Sequence, residues 1–282
     1  MMNFLFHPNR YYRRWFYGFI SILVAVGLVV GTPRPSQAFP RLFDLLLRGI
    51  QVIQLSTLSD NQEVSLGGQI NKQLMSQEFK PYRNSGVNQY VNRVGQRLVP
   101  YSDRPNIPYV FQVIDDNQVN AFSTMGGYVY ITTGILKTAN NEAELASVIG
   151  HEMGHIAARH AIQQMREGAL ASGLMTAAGL DQNAAVNIGV ELALRRPHSR
   201  QDEFEADQKG LANIRRAGYA PGAMVSFMEK LLKQPSIPTF LSTHPATRDR
   251  ITALERAIDP STANVGDGLD AAAYRSRLGN LG

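Results

Sequence analysis

The run His151-Glu152-Met153-Gly154-His155 constrains this chain more tightly than any other stretch of it. On a helix, positions i and i+4 share a face one turn apart, so both imidazoles reach one tetrahedral metal. Glu152 then sits beside them, close to a metal-bound water. The neighbouring residues predict that helix. Asn141-Glu142-Ala143-Glu144 reads as a capping box, and no proline interrupts the run to about Glu167. Leu145, Val148, Ile149 and Ile156 mark the helix as buried, where two unpaired histidines would be costly to desolvate. The 282 residues include no cysteine, which excludes disulfide scaffolds, CxxC redox sites, cysteine-ligated zinc ribbons and thiol nucleophiles. A metal site must therefore be built from His, Asp and Glu.

A catalytic zinc site needs a third protein ligand and an open fourth position. Candidates lie in Arg200-Gln201-Asp202-Glu203-Phe204-Glu205-Ala206-Asp207. Glu203 and Asp207 share a helix face, whereas Glu205 points about 200° away from Glu203. Glu203 is the expected third ligand, with His151 and His155. Asp207 is the expected acceptor for the far nitrogen of a ligand histidine, fixing its tautomer and aim, and Glu205 is a solvated charge. His160, nine residues after His151, falls on the opposite face of an unbroken helix and reads as structural. His198 precedes the Glu203 helix and reads as a surface loop residue, with the border of the cleft as the alternative.

Residues 1–38 carry Arg10, Arg13, Arg14 and Arg34 and no acidic residue. An apolar run over 15–31, then Pro33 and Pro35, then Ser36-Gln37-Ala38 complete the pattern of a signal peptide cleaved after Ala38. An uncleaved anchor is the alternative, since 15–31 would span roughly 26 Å as a helix against a hydrocarbon core of ~30 Å. Either way the remainder is expected in the periplasm or another extracytoplasmic space, membrane-anchored if the signal is kept. The formal charge of +5 then loses its meaning as a nucleic-acid signal. Without those four of the 28 basic side chains, 24 face 23 acidic ones.

Residues 41–58 read as a core or docking helix, with contact to a membrane surface as the alternative. A helix over 86–100 places Val87, Tyr90, Val91, Val94 and Leu98 on one stripe, and 109–114 and 128–132 read as two strands. The Ala- and Gly-rich stretch 168–194, split near Asp181, reads as two short helices or a mobile cover. Helices follow over 200–217, from Pro221 and from near Pro245. The Ser, Gly, Asn and Asp content after Pro260 reads as a loosely ordered tail over 261–282. The expectation is a mostly helical α+β chain with a small β-sheet and one domain over 39–260.

Four motifs in one order carry a resemblance: Asn120-Ala121-Phe122 with Gly126-Gly127-Tyr128-Val129-Tyr130, then Asn141-Glu142-x-Glu144 leading into HExxH, then Glu203-x-x-x-Asp207, then His244-Pro245-x-x-x-x-Arg250. From about Glu63 to Leu254 the chain resembles the zincin family of the CAAX prenyl proteases, HtpX, the Oma-type mitochondrial proteases and the periplasmic β-barrel assembly-enhancing protease. The resemblance implies a gluzincin-like metallopeptidase domain, one Zn2+ per chain and endopeptidase activity. It places His244 and Arg250 at the active site and makes the strand near Tyr128–Ile131 the edge that aligns an extended polypeptide. Substrate contacts are then expected at Asn120, Phe122, Gly126, Gly127, Tyr128 and Arg250. The chain shows none of the additional transmembrane helices of the prenyl protease and HtpX, and so looks most similar to the periplasmic branch.

The expected chemistry is peptide hydrolysis in misfolded or membrane-associated extracytoplasmic proteins. Glu152 acts as general base, and His244 either donates to the oxyanion or closes the site as a reversible fourth ligand. The rival is a chaperone-like binding module in which His244 fills the fourth position permanently.

Overall fold

The computed structural model describes residues 52–173, 179–195, 197–234, 238–245 and 248–281. The segment 1–38, expected to be a signal peptide, and the first part of the helix expected over 41–58 lie outside them.

Alternation of apolar side chains builds a three-stranded sheet from β2 (Val110–Ile114), β3 (Ala121–Thr124) and β4 (Tyr128–Thr132). The strand order is β2-β4-β3, with β2 parallel and β3 antiparallel to β4. Successive residues point to opposite faces. Val129, Ile131, Phe111, Val113 and Ala121 enter one apolar core, and Tyr130, Phe122 and Ile114 the other. Both faces are therefore covered by helices, which accounts for runs with little polar relief.

On one face lie α1 (Asp60–Gln73) and two later helices, α5 (His160–Ala171) and α6 (Gln182–Arg195). On the other lie α2 (Ser85–Leu98), whose stripe Val87, Tyr90, Val91, Val94 and Leu98 is buried as expected, and the central helix α4 (Glu142–Ala158). The six-residue α3 (Thr133–Thr138) links β4 to α4. Next come α7 (Arg200–Arg216), α8 (Gly222–Leu232), α9 (Thr239–Thr243), α10 (Arg248–Ala257) and α11 (Ala271–Leu278). The β3–β4 turn places Gly126 and Gly127 at φ +79° and +97°, and the Gly126 N–H donates to the buried Glu63 at 3.1 Å. Among the described residues, no helix is long and apolar enough to cross a membrane.

Four expectations change. Val52–Ile53 is not helical but forms β1, antiparallel to β5 (Leu180–Asp181): two β-branched residues take a distant strand as partner. The run from Asn141 to about Glu167 is broken at Arg159, which adopts the left-handed conformation at φ 61°. The strand near Tyr128–Ile131 is central rather than an edge, because β4 pairs on both sides; the edge beside α4 is β3. The tail after Pro260 forms α11, anchored by buried Tyr274 and Leu278, with the Tyr274 hydroxyl donating to Leu136 O at 2.9 Å.

Candidate active site

Small residues bring together the two helices that carry the expected ligands. A Cβ at Gly154 of α4 would stand 2.6 Å from Ala206 O of α7, and one at Gly210 would stand 2.9 Å from His151 N. Only backbones without side chains between them can pack this closely, so α7 runs directly against the HExxH turns. Ser199 caps α7 in a reciprocal box with Asp202 and fixes where its first turn begins, which delivers Glu203 and Asp207 to α4. His244 arrives from beyond α9. Its backbone N–H donates to Phe240 O at 2.8 Å, its ring stacks on Phe240 at 4.6 Å, and His198 N–H ties the neighbouring Thr243 carbonyl at 3.0 Å.

Candidate ligand atoms of four residues converge. His151 Nε2 lies 3.1 Å from His155 Nε2, 3.5 Å from Glu203 Oε2 and 3.3 Å from His244 Nδ1. Glu203 Oε1 lies 3.4 Å from His155 Nε2 and 3.0 Å from His244 Nδ1. A tetrahedral ion with bonds of ~2.0–2.1 Å spaces its ligands about 3.3 to 3.4 Å apart. The cluster therefore fits one four-coordinate metal, and its three imidazoles and one carboxylate are the donors zinc takes. All four residues are buried.

The surroundings prepare these donors. His151 Nδ1 lies 3.0 Å from Asp207 Oδ1. Arg250 clamps both Asp207 oxygens at 2.6 and 2.7 Å, also donates to Glu203 Oε2, and reaches Pro245 O at 3.0 Å. Burial works against charge on Glu203, yet His244, His151 and His155 outweigh it and hold the carboxyl far below the usual carboxylate range. Burial likewise opposes charge on His151, but Asp207 and Glu203 outweigh it and push the ring up to about 9. His155 goes the other way: burial, reinforced by His198, keeps its ring well below the ordinary value. Before metal arrives, then, Glu203 is an anion and His155 is neutral. A metal taken up by His151 would therefore displace a proton.

Glu152 is buried beside the cluster without belonging to it. Its Oε2 accepts from the Ser123 hydroxyl of β3 at 2.9 Å, and its Oε1 lies 3.3 Å from His244 Nε2. A narrow cleft opens alongside, between Phe122, Ser123 and Thr124 of β3 and Gly189, Leu192 and Ala193 of α6, with His244 on its wall.

The comparisons with known proteins bear on this arrangement. The family model described as peptidase family M48 matches residues 85–258, which include both halves of the cluster and the β3–β4 hairpin. The chain belongs to peptidase family M48. Among curated M48-like relatives, the beta-barrel assembly-enhancing protease of Escherichia coli (strain K12) is 33% identical over 214 residues, covering 70% of this chain and 44% of the relative. The mitochondrial metalloendopeptidase OMA1 of Schizosaccharomyces pombe is 32% identical over 173 residues, 59% of this chain and 51% of that one. The OMA1 of Arabidopsis thaliana is 36% identical over 148 residues, 51% and 30%. The chain spans about half the length or less of these relatives.

Within this M48 chain, the structure brings His151, His155, Glu203, His244, Glu152 and Asp207 into one cluster. It does not bring all the residues expected to contact substrate to the cleft. Phe122 lines it, but Gly126 and Gly127 serve the turn, where a Cβ would meet Glu63 O at 2.9 Å and Pro108 O at 2.8 Å respectively. Asn120 donates its N–H to Thr132 Oγ1, Tyr128 sits within β4, and Arg250 is occupied by the two carboxylates. Sequence reading missed Ser123, which no spacing rule singles out, and misplaced His160 and His198. Both stand against His155, with ring centroids 5.0 and 3.9 Å from it.

Proposed function

We propose that the chain is a zinc-dependent endopeptidase that hydrolyses misfolded or membrane-associated polypeptides in an extracytoplasmic space. The observation that carries this reading is the meeting of Glu203 with His151 and His155 at tetrahedral spacing, with Glu152 beside them. When bound, zinc supplies a Lewis acid for the peptide carbonyl and lowers the pKa of a water. Glu152, held at Oε2 by Ser123, takes a proton at Oε1 and returns it to the leaving amine. The free edge of β3 offers backbone groups to an extended substrate, so that affinity comes from main-chain hydrogen bonds and the cleft selects side chains. The Escherichia coli relative is by name a protease that enhances beta-barrel assembly, and the likeness to it supports our reading of this chain as acting in envelope protein quality control.

His244 occupies the corner of the cluster that a catalytic zinc keeps open, so turnover requires it to withdraw. The variant His244→Ala should keep zinc on three ligands and cleave unfolded casein faster than wild type. A slower rate would instead make His244 a donor to the reaction. A chain with no cleavage before or after the change would be the binding module with a permanently closed site.

The wall α6 is the second moving part. It stands against β3 where an extended substrate must enter, and 168–194 carries glycines that weaken a helix. Amide exchange over 182–195 should be faster than over 142–158; equal protection would remove α6 as a cover.

A further inference from the structure

Resting on the metal reading of the cluster, we propose that His160 is the positioning residue for the ligand His155. It accepts the proton of His155 Nδ1 and thereby fixes the tautomer whose Nε2 faces the metal corner.

The chain reaches this arrangement through the break at Arg159. A continuous helix would carry His160 to the face opposite His151. With Arg159 at φ 61° and ψ 30°, α4 ends and α5 starts in a new direction at His160. A non-glycine residue adopts that conformation only against a steric penalty. Arg159 is held there by its guanidinium, 2.6 Å from Leu58 O and 3.0 Å from the buried Glu63 carboxylate.

The result is a contact between two buried rings, His155 Nδ1 to His160 Nδ1, at 2.9 Å. At that distance one nitrogen carries the proton and the other offers its lone pair. His155 Nε2 stands among the four converging atoms and needs its own lone pair to ligate, so the His155 proton sits on Nδ1 and points to His160. His160, accepting at Nδ1, carries its proton on Nε2. That nitrogen is buried, has no hydrogen-bond partner among the described residues, and faces two acceptors: Glu205 Oε2 at 3.5 Å and Asp202 Oδ1 at 3.6 Å. The polarity thus runs one way, from His155 through His160 toward the first turn of α7. The reverse polarity would aim an N–H of His155 into the metal corner. His198 does not compete for the Nδ1 proton: it stacks on the ring face, and its own Nδ1 lies 2.9 Å from Gln164 Nε2.

The two zinc-helix histidines therefore have different outer partners, a clamped carboxylate for His151 and an imidazole for His155. Outer partners of ligand histidines are worth ~10–100-fold in metal affinity.

The test uses the full chain with His160→Phe, which fills the space but accepts no hydrogen bond, and His160→Gln, whose amide oxygen can accept. Zinc affinity is measured by chelator competition, beside the unfolding of the chelated proteins. His160→Phe should lose about 10–100-fold in zinc affinity, and His160→Gln should recover most of it. In zinc-loaded wild type, nitrogen-15 NMR should show the His155 proton on Nδ1. A Phe variant within about twofold of wild type, equal losses in Phe and Gln, or His155 protonated elsewhere would overturn the proposal. The NMR result decides even where the Phe variant fails to fold. Two zinc ions per chain would overturn it as well, by making His155, His160 and His198 a second metal site. A wild type that binds no zinc would instead overturn the metal reading beneath it.

Discussion

Glu152→Gln is expected to lower cleavage of unfolded casein by ~10²–10⁴-fold, the usual worth of a positioned general base, while leaving the bound metal in place. None of the four converging atoms belongs to Glu152, so the metal donors survive the change. The Ser123 hydroxyl can still donate to an amide oxygen at the Oε2 position. What the amide cannot do is take a proton from water and hand it to the amine. Metal content of the purified variant, measured beside its rate, separates the two roles. An unchanged rate would remove Glu152 from the chemistry, and loss of metal would make it part of the cluster's support.

Arg250→Leu is the change expected to cost most in stability. Arg250 is a buried cation shared by two buried carboxylates, bidentate to Asp207 and reaching Glu203. Burial opposes its charge, but Asp207 and Glu203 outweigh that and raise its pKa further above the ordinary guanidinium value. Removing one partner of such a set leaves uncompensated charge in a low dielectric and costs about 3–5 kcal/mol. Urea unfolding of the chelated proteins reads this directly. Added zinc should restore part of the loss, because it binds the Glu203 carboxylate only in the folded state. A difference below about 1 kcal/mol would contradict the clamp, since exposed pairs are worth no more than that. With Arg250 gone, Asp207 is also free to turn from His151, so zinc affinity should fall too.

The parts of the site legible from sequence are those set by helical period. His151 with His155 and Glu203 with Asp207 are each one turn apart, and the period alone puts each pair on one face. The cap at Asn141 is equally local: its side chain accepts from Glu144 N, though Glu144 returns its bond to Asn140 rather than to Asn141. What stayed hidden depends on contacts distant in sequence. Nothing around Arg159 announces a left-handed residue, because Leu58 O and Glu63 hold it there from about a hundred residues away. His160 was therefore assigned to the wrong face, and with it the partner of His155. Strand order is non-local in the same way: 109–114 and 128–132 read correctly as strands, but Ala121–Thr124 was not recognised as a strand, and its pairing is what moves β4 to the middle. The tail shows composition yielding to packing, since two apolar anchors, Tyr274 and Leu278, order a segment whose other residues favour loops.

On the reading proposed above, one zinc held by His151, His155 and Glu203 makes this M48 chain an endopeptidase. The most direct measurement follows zinc content and cleavage of unfolded casein by the full chain through chelation and reconstitution. About one zinc per chain is expected, with loss of cleavage as that zinc is removed and recovery on adding it back. Cleavage that persists in the zinc-free chain, or a chain that binds no zinc, would contradict it.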